Sequence, residues 1–251
     1  MRQLDQDVRG FWQFLDKAAG QDEGERSRLA QAMVGRTMDG DPLVPLSDTA
    51  IRGIREASDG PSNRFTYGGD PSGVRCPFGA HIRRSNPRNA DLPGGPGSLL
   101  SRGIRMLGLC ANEYRGDLIA STRFHRILRR GRAYGPALSP AEALGEAPPG
   151  DPERGLHFLC LNANISRQFE FVQNAWIMST KFDGLVGESD PLLGNRTEGA
   201  GFSIPREGLP PRVLAELPRF ITVRGGAYFF LPSLRALRFF SGVETKRGEL
   251  L

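Results

Sequence analysis

The stretch GLHFLCLNANISRQFEFVQNAW, residues 155–176, changes its hydrophobic period half way along. Its first part, LHFLCLNA, is short and nearly all apolar, as a buried strand would be. Beyond it Ile165, Phe169, Val172 and Trp176 recur at helical spacing, so a strand passes directly into a helix. Downstream, RFITV at residues 219–223, the Gly225-Gly226 pair and AYFFL from Ala227 read as strand, turn and strand, with LRALRFF helical after Pro232. Upstream, residues 124–128 alternate apolar and polar types and predict a strand. The RRGRAYGP that follows reads as a turn opening a surface loop to about Pro152. Two helices open the chain: one carries Leu4, Val8, Phe11, Trp12 and Leu15, and the next runs from Glu23 to Val34 and stops at Gly35. Residues 37–75 and 91–98, rich in Gly, Pro, Asp and Ser, are expected to be ordered loop. The order predicts an α+β fold, a ferredoxin-like antiparallel sheet with packed helices and long loops.

At 251 residues the chain can bury a substantial core. No window approaches the ~20 apolar residues of a membrane span, and MRQLDQDVRGFWQF lacks the apolar run of a secretory leader, so the expected location is cytoplasmic. Cys76, Cys110 and Cys160 are odd in number and widely spaced, which argues against a disulfide framework or a four-ligand zinc site. The net charge of +5 is too modest to make nucleic acid the first choice of partner. Its arginines include short clusters rather than one tail, such as Arg83, Arg84 and Arg88, then Arg129, Arg130 and Arg132. Each is either a solvated basic face or a set of donors for an anionic cofactor.

Longer strings are more specific. The run CPFGAHIRRSNPR, residues 76–88, resembles the proximal haem segment of the dye-decolorizing peroxidases, and HRILRRGRAYGP from His125 resembles the segment supplying their distal arginine. Residues 155–176, KFDGLVGESDPLLG from Lys181 and FITVRGGAYFFLPSLRALRFF from Phe220 are similar to the C-terminal, haem-bearing half of that family. The resemblance implies haem b as cofactor and His81, the histidine of the GAH string, as its axial ligand. It implies Arg129 as the distal arginine, with Arg130 as fallback, and Arg83, Arg84 and Arg129 as groups around the cofactor. A ligating imidazole usually donates its other nitrogen to a carboxylate or carbonyl, and Glu170 is the candidate in the family-like segment. Cys76-Pro77 is a weaker thiolate alternative. Tyr134, Trp176 and Tyr228 are possible electron relays. The implied activity is reduction of hydrogen peroxide coupled to one-electron oxidation of dye-like or phenolic donors.

The resemblance also implies a division into a helical and loop lead-in, residues 1–75, and a haem-binding ferredoxin-like core, residues 76–251. The family's Gly-x-x-Asp-Gly motif, in the half that precedes this one, has no counterpart here. GRTMDG at residues 35–40 has one residue too many, and Asp39 is not taken as catalytic. A second polypeptide is therefore the expected source of the distal aspartate. A non-catalytic haem carrier or relic is one alternative. A ferredoxin-like nucleic-acid-binding module is another, since RGGAYFF at Arg224 faintly resembles the Arg-Gly-aromatic strand of RNA-recognition motifs.

Overall fold

The computed structural model describes residues 1–44, 63, 65–88, 121–195 and 199–242; Cys110 and the expected loop at 91–98 lie outside them. The chain enters through strand β1 (Arg2–Gln6), whose Leu4 is buried between more exposed polar neighbours. Helix α1 (Val8–Ala18) follows, capped by the Asp7 carboxylate accepting from the Gly10 amide at 2.8 Å, and it turns Trp12 and Leu15 inward. Helix α2 (Glu23–Val34) begins on Asp22, which accepts from the Glu25 amide, and carries Glu23 and Glu25 in its first turn, where carboxylates suit the helix dipole. It ends at Gly35, whose φ of 90° is a left-handed cap. A Cβ there would lie 3.2 Å from Cβ of Ile82 and 3.3 Å from Cβ of Ala80, so glycine also lets α2 abut the residues flanking His81.

Helix α3 (His81–Ser85) is a single short turn, followed among the described strands and α-helices by β2 (Leu128–Tyr134), α4 (Pro140–Leu144) and β3 (Gly155–Leu161). Two π-helical runs, Ser166–Glu170 and Val172–Ile177, then lead to the hairpin β4 (Phe202–Arg206) and β5 (Leu209–Leu214), strand β6 (Ile221–Gly226) and helix α5 (Leu234–Phe240). The main sheet has the order β2-β3-β1-β6, with each neighbouring pair antiparallel. Together with the β1-α1-β2-β3-helix-β6 order, this is the ferredoxin-like arrangement.

The chief core gathers Trp12 and Leu15 of α1, Leu29 and Met33 of α2, Phe202 and Leu214 of the hairpin, and Phe220. Phe11 meets Phe220 edge to face at 5.3 Å. Leu15 is fully buried, and truncating such a side chain to Ala costs about 2–5 kcal/mol. A second cluster of Val44, Phe65, Tyr67, Cys76 and Ala80 supports the start of α3.

Several expectations need correction. The sheet does not begin after residue 75, because β1 at residues 2–6 is one of its two central strands; Leu4 belongs to that strand rather than to the first helix. The strand expected at 124–128 lies at Leu128–Tyr134, the segment read as a turn, because pairing along all of β3 holds Gly131 in the ladder. Gly225 and Gly226 end β6 rather than turn a hairpin, and Ala227 to Leu231 form no strand. The β4–β5 hairpin went unread, since Pro205, Pro210 and Pro211 make edge strands look like loop.

Candidate haem site

His81 stands first in α3, just past a turn in which the Ala80 amide donates to the Pro77 carbonyl at 3.0 Å. Its Nδ1 lies 2.9 Å from Oδ2 of Asp190, 109 residues further on. With Asp190 ionised, Nδ1–H is the donor and Nε2 carries the free lone pair. The other carboxylate oxygen, Oδ1, accepts from the amides of Leu192 and Leu193 at 2.9 and 2.8 Å, and the Gly194 amide donates to the Asp190 carbonyl. This tight loop requires glycine at 194, where a Cβ would fall 2.2 Å from Oγ of Ser189 and 2.5 Å from the Asp190 carbonyl oxygen. Asp190 is wholly buried. Desolvation alone would raise its pKa, but His81 and the two amides outweigh it and hold the carboxyl below its ordinary value.

His81 opens on a cavity of about 440 Å³. The sheet supplies Leu4, Leu156, Phe158 and Ile221 as one wall; the π-helical runs supply Phe169, Val172 and Ile177 as another. Arg129 lines the same cavity, so two residues 48 positions apart in sequence are brought to one space. The register explains why it is Arg129 rather than Arg130. Directly opposed residues share a face, and Arg129, Gly131 and Ala133 sit opposite Cys160, Phe158 and Leu156, two of which line the cavity. Arg130 and Arg132 oppose Leu159 and His157 on the other face. Surrounding protein, reinforced by Arg36, lowers the Arg129 pKa from its ordinary value, yet a guanidinium remains charged at working pH. The side chain is still open to solvent through the cavity. Arg2 and Arg219 add two more cationic groups to the lining.

Arg83 and Arg84 are placed elsewhere. Arg83 is buried, donates to Asp70 and to the Cys76 carbonyl, and lies between the rings of Tyr67 and Phe78, 4.5 and 4.4 Å from their centroids. Arg84 is buried to 0% exposure and donates to backbone carbonyls. Neither lines the cavity among the described residues, and the cationic groups that do are Arg2, Arg129 and Arg219. Glu170 is not the partner of His81; it accepts from the Tyr228 hydroxyl at 2.9 Å. Asp190 was hidden inside GESDPLLG, where an aspartate before proline and a glycine four residues on is a turn signal, but nothing ties it to a distant histidine. Cys76 is buried in the second core cluster and does not line the cavity, and desolvation pushes its thiol pKa up to about 12. Arg224 is engaged by Asp5, and Phe229 and Phe230 lie beyond the end of β6, so the aromatic strand of an RNA-binding sheet is missing there.

The residues fit a haem. Apolar walls suit a flat macrocycle, three arginines suit its carboxylates, and a histidine oriented by a buried aspartate suits ferric iron. Among the described residues no group of three or more His, Cys, Asp or Glu could hold a metal by itself. No described helix is long and apolar enough to cross a membrane.

No family model matches the chain. It is 32% identical over 228 residues to the dye-decolorizing peroxidase msp1 of Mycetinis scorodonius, covering 84% of this chain and 38% of that protein. It is 31% identical over 259 residues to the multifunctional dye peroxidase DyP2 of Amycolatopsis sp., covering 94% and 47%. Among solved structures, a mutant of the dye-decolorizing peroxidase from Pleurotus ostreatus superposes with a TM-score of 0.64 at 27% identity, over 94% of this chain and 49% of that one. The chain is thus homologous in sequence and fold to the dye-decolorizing peroxidases along nearly all of its own length, while spanning less than half the length of these relatives.

Proposed function

We propose that this chain is the haem-binding, C-terminal-type half of a peroxide-reducing enzyme, completed by a second half. The observation that carries the reading is the single cavity lined by both His81, tied to Asp190, and Arg129. When bound, haem would supply the redox centre at which peroxide is reduced and one-electron donors are oxidised. His81 would hold the iron of a bound haem through Nε2, while Asp190 fixes the ring and makes that nitrogen more basic. Arg129 would offer a fixed positive charge to a peroxide oxygen that gains negative charge in such chemistry. Removal of one such preorganised donor typically lowers turnover ~100- to 1,000-fold. Arg2 and Arg219 answer the cofactor's carboxylates.

Among the described residues the cavity wall holds no carboxylate able to take the peroxide proton. A second half supplies that group in this reading. Its docking surface is the apolar C-terminal segment, where Phe229, Phe230, Leu234 and Phe239 are each at least 72% exposed. Dye-like or phenolic compounds are the proposed reductants, the former by likeness to the dye-decolorizing peroxidases.

The test is a hemin titration of the purified chain and of His81→Ala, followed by peroxide turnover with and without the product of the neighbouring upstream reading frame. A Soret band that depends on His81, with turnover only in the presence of the second product, is the expected result. Binding without turnover in either case would overturn the enzymatic part, and no Soret band would overturn the haem reading.

A further inference from the structure

The short helix α3 carries two side chains that converge on the same distant loop. His81 reaches Asp190 directly. One turn later Arg84, wholly buried, drives its guanidinium into the backbone that leads to Asp190. Its Nη1 donates to the carbonyls of Trp176, Ile177 and Ser179 at 2.7, 3.2 and 2.9 Å, and its Nη2 to the carbonyl of Glu188 at 2.5 Å. The Ile177 carbonyl also accepts the amide of Asp190 itself, at 2.9 Å. One peptide oxygen therefore joins the cation to the residue that orients the histidine. From the far side Glu188 is held in turn, its carboxylate accepting from the amide and hydroxyl of Ser203 in β4.

We propose that Arg84 is a positioning residue for the haem ligand: it clamps residues 176–188 so that Asp190 meets His81 at hydrogen-bond distance, and so sets how strongly His81 donates to iron. This deepens the haem reading and rests on it. The chemistry favours arginine over any other cation. A planar fork with five N–H donors can serve carbonyls from two separated segments at once, whereas an ammonium is a point charge with three donors on one atom. The carbonyls of Trp176 and Ile177, at the end of the π-helical run, and those of Ser179 and Glu188 beyond it form the socket. The sequence had suggested a contact from Arg84 to the cofactor; the structure routes its influence through the protein instead.

The experiment uses the whole chain as Arg84→Lys, with Asp190→Asn as reference, in two states. In the apo-protein, amide hydrogen exchange is followed at Leu192 and Leu193, the amides bound to Asp190. Arg84→Lys is expected to accelerate both by about tenfold or more, with the β3 amides unchanged. In the hemin-loaded protein, the ferrous iron–histidine stretch is expected to fall and the iron midpoint potential to rise in the same direction as for Asp190→Asn. Unchanged exchange at both amides, or uniform acceleration across the chain, overturns the clamp. Accelerated exchange with an unaltered stretch and potential overturns its effect on the ligand. Absence of hemin binding by the wild type would instead remove the haem reading, while the exchange arm still tests the clamp. Where Arg84→Lys does not fold, Ser203→Ala loosens Glu188 with Arg84 intact. A smaller local acceleration at Leu192 and Leu193 supports the proposal and none overturns it.

Discussion

The two arginine clusters look alike in sequence and have opposite fates. Arg83 and Arg84 lie on a short helix wedged between α2 and the π-helical run, at 3% and 0% exposure, and their charges are spent on protein oxygens. Arg129, Arg130 and Arg132 lie on the edge strand β2 and remain open to solvent, sorted only by the two-residue alternation of the pleat. A basic run therefore carries little information about ligands until its secondary structure is known. On a buried helix it is internal scaffolding, and on an edge strand one side of it can face a site.

The largest effect that would sharpen this contrast concerns Arg83, whose ion pair with Asp70 is almost fully enclosed. Arg83→Met should lower unfolding stability by about 3–5 kcal/mol, because it leaves a buried charge without its partner. Denaturant titration reads this directly, and a loss below about 1 kcal/mol would break the distinction between buried and open clusters. Arg129→Leu should do the reverse. Peroxide turnover of the completed, hemin-loaded enzyme should drop about 100- to 1,000-fold while the unfolding midpoint stays near that of the wild type.

Much of the scaffold was legible. The helix expected from Glu23 to Val34, with its stop at Gly35, matches α2 at both ends. The structure places His81, singled out by its string, and Arg129, singled out by its neighbourhood, on one cavity. What stayed hidden depended on pairing across distance. RQLDQ has a single buried apolar residue, Leu4, and Val8 and Phe11 beyond it extend an apparent helical period back over a strand. Gly131 in the middle of β2 argued for a turn, whereas in the ladder a Cβ there would come within 2.9 Å of Cδ1 of Leu156. Asp190 could not be matched to His81 because no local rule reaches across 109 residues.

Two smaller effects probe the open surface. Arg9 and Arg154 both bind Asp151, beside α4, and hold its carboxyl near a pKa of about 2 against an ordinary 3.8. A carboxyl depressed in the folded state stabilises above the unfolded value and loses that contribution as pH falls through the folded one. Acid titration from pH 4 to 2 should therefore weaken the native chain at this site. Asp151→Asn should flatten that part of the curve, as followed by circular dichroism. The smallest effect should come from Arg130→Gln or Arg132→Gln. Each should change stability by no more than about 0.5 kcal/mol and turnover by less than about twofold. A large loss of turnover from Arg130→Gln would reverse the face assignment of β2.

The π-helical runs at Ser166–Glu170 and Val172–Ile177 have a consequence for how variants of this chain should be read. A widened turn holds one residue more than an ordinary one, and removing a single residue lets the helix relax to regular winding. Each residue of an α-helix turns the chain by about 100°, so one deletion in this interval would swing Phe169 away from the cavity relative to Ile177 while leaving composition and hydropathy almost untouched. In alignments of related sequences, a one-residue gap between 166 and 177 would therefore mark a change of function more reliably than many substitutions there.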